Sequence, residues 1–283
     1  MKLARIDSPD GPRLASLEDG VWTDLTAATE ILRTDPVTAL TRKRSLVDTA
    51  VRSAGMKLED ARPLCPLTEA SRVFCIGLNY RDHAEETGSP IPAEPIVFSK
   101  FSSTLTDPGA DIVLPRVSDE VDFEAELAVV VGAPGKHVAE ADAMGHVLGY
   151  CAANDVSARD WQKGKPGRQW LLGKTFDTFC PLGPVLVTAD EVPDPQALSV
   201  KTTVSGETLQ DGHTSGMIFG VAKLVSYISQ VTALRAGDVI LTGTPAGVGV
   251  ARSPQQFLKP GDEVTVEIEG LGALTNPVVA EPA

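Results

Sequence analysis

The chain has 283 residues, of which 42% are hydrophobic and 22% charged, a length and composition that suit a globular protein with a sizeable core. Its formal net charge of −13 repels phosphate backbones, and no lysine or arginine stripe offsets this repulsion locally, so we expect no nucleic-acid partner. No apolar run approaches the ~20 residues of a membrane span, so we expect no membrane partner either.

The first residues and the cysteines bear on location. Residues 1–14 resemble neither a secretory signal nor an Arg/Ser-rich transit peptide, so we expect them to be part of the fold and the protein to be cytoplasmic. The four cysteines are far apart, with no CxxC pair and no histidines at zinc-site spacing. We expect free, buried thiols.

Residues 1–66 predict a small β-rich N-terminal domain. Segments 2–6, 12–18 and 21–25 are strand-like, turns separate them, and a helical stretch follows. Two prolines in segment 62–67 then lead into an apolar strand that ends at Gly77. We expect residues 67–283 to form a second, catalytic domain.

The second domain is predicted to be rich in strands, so the expected fold class is mixed α+β, mainly β. One helix is predicted near Ser215, where apolar residues recur at three- and four-residue spacing up to Ile228, and a shorter one over 139–149. Segment 242–249, TGTPAGVG, lacks the Gly-Lys-Ser/Thr ending of a phosphate loop, and we interpret it as a turn. The predicted strands are 95–101, 111–115, 123–132, 183–188, 198–204, 238–244 and 263–270.

Two carboxylates occur at the start of the most apolar of these strands, in VDFEAELAVVVG (121–132). Residues two apart in a strand share a face, so Glu124 and Glu126 converge on one spot, whereas the following AVVVG is apolar on both faces. For an isolated pair the usual explanation is a solvent-facing strand end. The alternative is that a hard cation such as Mg²⁺, Mn²⁺ or Ca²⁺ lies between them, and this requires further oxygen ligands.

Asp155 is the candidate third ligand, because polar residues cluster around it at the end of another apolar run. Arg159 and Gln162 follow at offsets of four and seven, so the three can share one helix face; a helix cap and a solvated face are the alternatives. Lys174 lies among apolar and aromatic neighbours, where a lysine either extends its charge to solvent or, desolvated, stabilises developing negative charge.

His83 and Glu86 are three residues apart and share a face if segment 79–86 is helical. A lone histidine is more often a satisfied surface or core group. A histidine whose tautomer is fixed by a carboxylate is a plausible general base near neutral pH.

Together these segments resemble the fumarylacetoacetate hydrolase family. The likeness extends from about residue 72 to 279 through GLNYRDHAEE, DEVDFEAELAVVVG, NDVSARD, GDVILTGTPAGVG and LKPGDEVTVEIEGLG, and RQWLLGKTFDTFCPLGP is especially similar to the second type of mammalian fumarylacetoacetate hydrolase domain-containing protein. The resemblance implies a mixed β-sandwich roll and a homodimer. It implies Mg²⁺ or Mn²⁺ on Glu124, Glu126 and Asp155, a His83–Glu86 dyad on a mobile lid, and a substrate pocket lined by Arg159, Gln162, Lys174 and Thr244.

The implied substrate is a small 2-oxo or 2,4-dioxo acid that reacts through a metal-bound enolate. The preferred reaction is hydrolysis of a carbon-carbon bond in an acylpyruvate, with a water activated by His83 and an oxyanion stabilised by Lys174. The alternatives are keto-enol tautomerisation or decarboxylation of oxaloacetate, and isomerisation of the 2-hydroxyhepta-2,4-diene-1,7-dioate type. A metal-stabilised binding module without activity is the rival from another class.

Overall fold

Three β-sheets make up most of the fold in the computed structural model, which describes residues 1–26, 34–53, 56–58, 61–67 and 72–282. The strands are β1 (Lys2–Ile6), β2 (Arg13–Glu18), β3 (Val21–Asp24), β4 (Met56–Leu58), β5 (Pro63–Leu64), β6 (Val73–Gly77), β7 (Ile96–Lys100), β8 (Leu105–Thr106), β9 (Ile112–Leu114), β10 (Val121–Asp122), β11 (Ala125–Val131), β12 (Val147–Asn154), β13 (Ser157–Ala158), β14 (Cys180–Thr188), β15 (Ser199–Val204), β16 (Glu207–His213), β17 (Val239–Leu241), β18 (Glu263–Ile268) and β19 (Gly272–Ala280). The α-helices are α1 (Pro36–Arg42), α2 (Arg44–Arg52), α3 (Arg81–Glu86), α4 (Arg159–Gln162), α5 (Trp170–Lys174) and α6 (Val221–Val231).

The largest sheet has the strand order β4-β3-β2-β1-β14-β12-β11-β17-β6-β7, with β5 paired to β1 and β8 to β14. Its strand β1 pairs antiparallel with β14, so the N-terminal strands extend a sheet built by the rest of the chain. The predicted division of the chain at residue 66 stays a prediction. The other sheets are β16-β15-β18-β19-β9 and the short pair β10-β13.

Strand β11 lies inside the largest sheet, between β12 and β17, and all seven of its residues are buried. Its side chains alternate between two apolar clusters, with Leu127 and Val129 in one and Ala128 and Val130 in the other. This confirms the prediction of a strand buried on both faces. A strand so placed holds its ends firmly, which matters for the carboxylates at its start.

The predicted fold class, mixed α+β and mainly β, is confirmed, because the described chain is mainly β with some helix. The long helix begins later than predicted, at Val221. Asn79 explains the difference, because its side chain donates to the carbonyl of Phe219 and accepts from the Phe219 N–H, which keeps that residue out of the helix. No helix in the described part of the chain is long and apolar enough to cross a membrane.

The shorter predicted helix, 139–149, is a 3-10 helix over Glu140–His146, and the residues after it belong to β12. Gly149 explains why the end of this segment forms a strand and not a helix. A Cβ on this residue would lie 2.2 Å from the carbonyl oxygen of Val187 on β14, so only glycine permits the close pairing of the two strands.

Candidate active site

The register of two neighbouring strands brings three buried carboxylates together. Pairing of Ala125 with Asn154 places the residue before β11 beside the residue after β12, and the Asp155 N–H donates to the carbonyl of Glu124 at 2.9 Å. Carboxylate oxygens of Glu124, Glu126 and Asp155 all lie within 4.8 Å of one another. The predicted convergence of the two glutamates, with Asp155 beside them, is therefore present, and the surface explanation is wrong because all three are buried.

Three buried cations surround these carboxylates. The Lys174 ammonium lies 2.6 Å from Glu124 Oε2 and 2.7 Å from Asp155 Oδ2, and the Arg159 guanidinium lies 2.7 Å from Glu124 Oε1. Lys100 donates to Asp155 Oδ1 at 2.5 Å and to the carbonyl of Val156 at 3.0 Å. Lys174 is therefore buried beside the acids. Of its two interpretations from the sequence, this matches the desolvated lysine and not the one that extends its charge to solvent.

The three carboxylates differ sharply in their electrostatics. Burial alone would raise the pKa of Glu124, but Lys174 and Arg159 outweigh burial and hold that pKa well below its ordinary value. Glu126 accepts a hydrogen bond from the Gly243 N–H at 2.6 Å and has no ion pair with any side chain that the structure describes. Burial, followed by repulsion from Asp155 and Glu124, raises its pKa well above the ordinary value.

This donor set fits a hard divalent cation. All three groups offer carboxylate oxygens, the ligands that Mg²⁺ and Mn²⁺ prefer, and the ionised form of one of them, Glu126, is disfavoured by burial and by the other two acids. A cation held by the triad would favour the ionised form of Glu126. Neutral nitrogen or sulfur ligands are absent from the triad, which argues against a zinc site of the usual type.

The shared helix face predicted for Asp155, Arg159 and Gln162 is wrong in its geometry. Asp155 lies in an extended segment, because β13 pairs with β10 and keeps residues 157 and 158 out of the helix. Helix α4 is therefore only four residues long, and within it the Arg159 guanidinium donates to Gln162 Oε1 at 3.0 Å. Gly173 lets α5 pack closely on α4, since a Cβ there would lie 2.6 Å from the Gln162 nitrogen.

The His83–Glu86 pair is formed on helix α3, as the spacing predicted. His83 Nδ1 lies 3.2 Å from Glu86 Oε2, and the other oxygen of Glu86 accepts from the Gly247 N–H at 2.8 Å. The carboxylate is therefore held on both sides, and the imidazole is oriented by a group that is itself fixed.

Segment 242–249, which the sequence predicted to be a turn and not a phosphate loop, binds the protein's own acids together with the next residue; we name residues 242–250 the acid-binding loop. Its N–H groups donate to Glu126 from Gly243, to Glu86 from Gly247, and to Asp122 from residues 249 and 250. Gly247 has φ +105°, and a Cβ there would lie 2.2 Å from the Leu209 carbonyl oxygen, so this residue must be glycine.

Sequence reasoning missed two buried charged residues that support the site. Asp122 accepts from Arg159 Nε at 2.8 Å and from two N–H groups of the acid-binding loop, and Lys100 binds Asp155. Asp122 lies two residues before Glu124, and this position near the start of the strand could have indicated that it belongs to the site. Lys100 is separated from Asp155 by 55 residues, and nothing in the sequence relates the two.

We expect Asp122→Asn to displace Arg159. The carboxylate accepts at both oxygens, so the NH₂ group of asparagine would face a donor, and the guanidinium would lose a buried partner. The free energy of unfolding should fall by about 3 kcal/mol, measured by urea denaturation, and KM for a 2-oxo acid should rise. Asp119→Asn, at an exposed position, is the control. A wild-type KM in Asp122→Asn would contradict this role.

A cavity of about 600 Å³ unites most of the predicted residues. The side chains predicted from the sequence that line it are His83, Glu124, Glu126, Arg159, Gln162, Lys174 and Thr244. Asp155 and Glu86 stand behind this wall, the first fully buried between two lysines and the second backing His83. Thr244 Oγ1 accepts from Gln210 Nε2 at 2.8 Å, which fixes its position. The roles assigned to these residues stay predictions.

Comparison with known proteins identifies the family. Residues 72–279 match the family model described as "Fumarylacetoacetate (FAA) hydrolase C-terminal". The chain belongs to the fumarylacetoacetate hydrolase family. It is 56% identical over 216 residues, 76% of this chain and 69% of the relative, to the human protein named "Oxaloacetate tautomerase FAHD2A, mitochondrial". The resemblance to the second type of domain-containing protein is thereby confirmed, and the chain is an enzyme of this family.

Two solved structures share the whole fold. One is 2-hydroxyhepta-2,4-diene-1,7-dioate isomerase from Mycobacterium marinum, with 38% identity, a TM-score of 0.78 and 100% coverage of both chains. The other is maleylpyruvate hydrolase from Sphingobium sp. SYK-6 in complex with manganese(II) and pyruvate, with 29% identity, a TM-score of 0.82 and 100% coverage of both chains. The family thus includes both isomerases and hydrolases.

The cytoplasmic location expected from the sequence is wrong. It rested on the composition of the first residues alone, and the human relative at 56% identity is named as mitochondrial.

Proposed function

We propose that the protein interconverts the keto and enol forms of oxaloacetate with the help of a bound Mg²⁺ or Mn²⁺ ion. The observation that carries this proposal is that two acids of the triad, Lys174 and the dyad histidine His83 line one cavity. A 2-oxo acid presents a carboxylate and a keto oxygen that chelate a cation together, which overcomes the repulsion from a net charge of −13. The 56% identity to a protein named oxaloacetate tautomerase favours this reaction over carbon-carbon hydrolysis, which the sequence had favoured.

Glu124, Glu126 and Asp155 would hold the cation, which when bound supplies Lewis acidity that acidifies the hydrogens on the carbon next to the keto group. His83 would remove one of these protons. Its Nδ1 faces Glu86, which favours the tautomer protonated at Nδ1 and leaves Nε2 free to act as a base.

The remaining residues stabilise charge and complete the proton transfer. Removal of the proton leaves an enolate, and the positive charge of Lys174 stabilises it. Asp155 and Glu124 outweigh burial and raise the pKa of Lys174, so this ammonium stays charged and acts by electrostatics. The proton that His83 took from carbon then passes through solvent water to the enolate oxygen, which gives the enol and returns the imidazole to its neutral form, so that the net reaction relocates one proton.

A second candidate is hydrolysis of an acylpyruvate, for which the same dyad would activate a water instead of removing a carbon-bound proton. The relative that binds manganese and pyruvate is a maleylpyruvate hydrolase, which supports this candidate. The isomerase at 38% identity supports a third, in which the proton moves between carbon atoms. The homodimer implied by the family resemblance stays a prediction.

One panel of assays tests the proposal. Enzyme with Mg²⁺ or Mn²⁺ is given oxaloacetate, followed for keto-enol exchange and for loss of CO₂, and separately acetylpyruvate, followed for cleavage. We expect exchange to have the highest kcat/KM of the three and to stop with a chelator. Faster cleavage of acetylpyruvate would replace tautomerisation by hydrolysis, and full activity in a chelator would remove the cation from the proposal.

A further inference from the structure

Two cations of the cavity wall form no ion pair or hydrogen bond with any side chain that the structure describes. Arg159 and Lys174 are already paired with Asp122, Glu124 and Asp155. The other lysine and arginine of the cavity wall are Lys163 and Arg168. Among the hydrogen bonds and ion pairs of the described residues, neither of these two side chains takes part.

Both residues lie in the connection between α4 and α5, which are the helices that carry Arg159 and Lys174. Lys163 follows Arg159 by four residues and its N–H donates to the Arg159 carbonyl at 2.8 Å, so the two share one face of the helix end. Arg168 has φ +54°, a left-handed conformation that arginine rarely adopts, and the Trp170 N–H donates to its carbonyl at 3.0 Å. The turn therefore fixes the backbone from which Arg168 reaches the cavity.

We propose that Lys163 and Arg168 form a subsite for the second carboxylate of a dicarboxylic 2-oxo acid. This inference rests on the proposed function and names the substrate class of the same site. One carboxylate and the keto group of such an acid occupy the end of the cavity near the triad, and the other carboxylate requires its own positive charge. In a protein of net charge −13, unpaired cations at a cavity edge are the groups that provide it.

The size of the cavity supports selection by charge. About 600 Å³ is far more than a four-carbon acid fills, so steric fit alone does not choose between oxaloacetate and larger acids. Other residues that line the cavity, such as Pro90, Ile91 and Pro92, are uncharged. Burial and then Arg159 lower the pKa of Lys163 and outweigh the opposing effect of Glu124 and Asp122, so an added anion beside this ammonium would be favourable.

The test compares two stable 2-hydroxy acids that differ in the second carboxylate, malate and lactate. Their dissociation constants are measured by calorimetry on Mg²⁺-loaded protein at constant ionic strength. We expect the wild type to prefer malate, and Lys163→Met and Arg168→Met each to reduce this preference about tenfold. Lys165→Met is the matched control, because the Lys165 ammonium stacks on Trp161 at 4.6 Å and does not line the cavity.

The outcomes separate the subsite from the proposed reaction. Equal affinity of the wild type for malate and lactate, or an unchanged malate preference in the Lys163→Met/Arg168→Met double variant, overturns the subsite even if oxaloacetate is tautomerised. A malate preference that the double variant loses and Lys165→Met keeps supports the subsite even if the reaction proves to be another one.

Discussion

Glu126→Gln should abolish cation-dependent turnover and yet make the cation-free protein more stable. Its carboxylate is buried, faces two other acids and has no ion pair among the described side chains. A neutral amide of the same shape neither adds a charge beside the other acids nor has to take up a proton on folding, so in a chelator the free energy of unfolding should rise by about 1 kcal/mol or more. Turnover should fall by more than the roughly hundredfold that loss of an outer-shell partner of a metal site costs.

Glu124→Gln is the matched variant, with the opposite expected effect on stability. Glu124 is the shared partner of Lys174 and Arg159, so its neutralisation leaves two buried cations with too little negative charge. In a chelator we expect the free energy of unfolding to fall by about 3 kcal/mol. Urea denaturation of both variants measures the sign of each change in the free energy of unfolding. A change of the same sign in both variants would contradict the pairing of Lys174 and Arg159 with Glu124 and not with Glu126.

Binding of the cation is measured separately from activity. A thermal shift with Mg²⁺ and oxalate should stabilise the wild type by several degrees, because a ligand that binds only the folded state adds its binding free energy to stability. Neither Glu126→Gln nor Glu124→Gln should respond, whereas Glu120→Gln, at a half-buried position before the strand, should respond like the wild type. A normal response of Glu126→Gln would remove this residue from the cation site.

The period of two of a strand predicted that the two glutamates converge, whereas the ligand triad itself was what the family resemblance implied. Glu124 and Glu126 share a face in any strand register, and the apolar run after them required that the strand be buried. Asp155 was placed beside them by the clustering of polar residues at the end of another apolar run, although the assumed helix was wrong. Pairing of β13 with β10, which sets that local conformation, joins residues 35 and 37 positions apart and has no local signature.

The residues that support the site were harder to predict from the sequence than the triad. Segment 242–249, interpreted as a turn, is an irregular loop after β17, and its sequence does not reveal what its N–H groups bind. In the fold these groups meet Glu126, Glu86 and Asp122, at sequence separations of 117 to 161 residues. Long-range contacts of this kind follow from the sheet order, which periodicity does not specify.

The same limit explains the helix boundaries. Apolar spacing predicted the α6 face correctly at Leu224, Val225 and Ile228, all of which are buried. The start of the helix depends on Asn79, which lies 140 residues away and holds Phe219 in place. Local pattern therefore predicts which face of an element is buried better than where the element begins.

His83→Ala should slow keto-enol exchange by about 10²- to 10⁴-fold, the range typical of a lost general base. The histidine lines the cavity, and its Nδ1 is 3.2 Å from a carboxylate that the acid-binding loop holds in place. Uptake of deuterium at the carbon next to the keto group of oxaloacetate, followed by NMR in D₂O, measures the proton transfer itself. The rate of uncatalysed exchange is subtracted.

Glu86→Gln refines the role of the dyad. Glutamine preserves the shape and can accept from the Gly247 N–H, but it no longer balances a protonated imidazole, so we expect a smaller loss than for His83→Ala. His137→Ala, on the surface, is the control, and Mg²⁺ with oxalate should still stabilise His83→Ala because the triad is intact. Wild-type deuterium uptake in His83→Ala would mean that another group moves the proton, and the dyad would then serve only to hold helix α3 on the acid-binding loop.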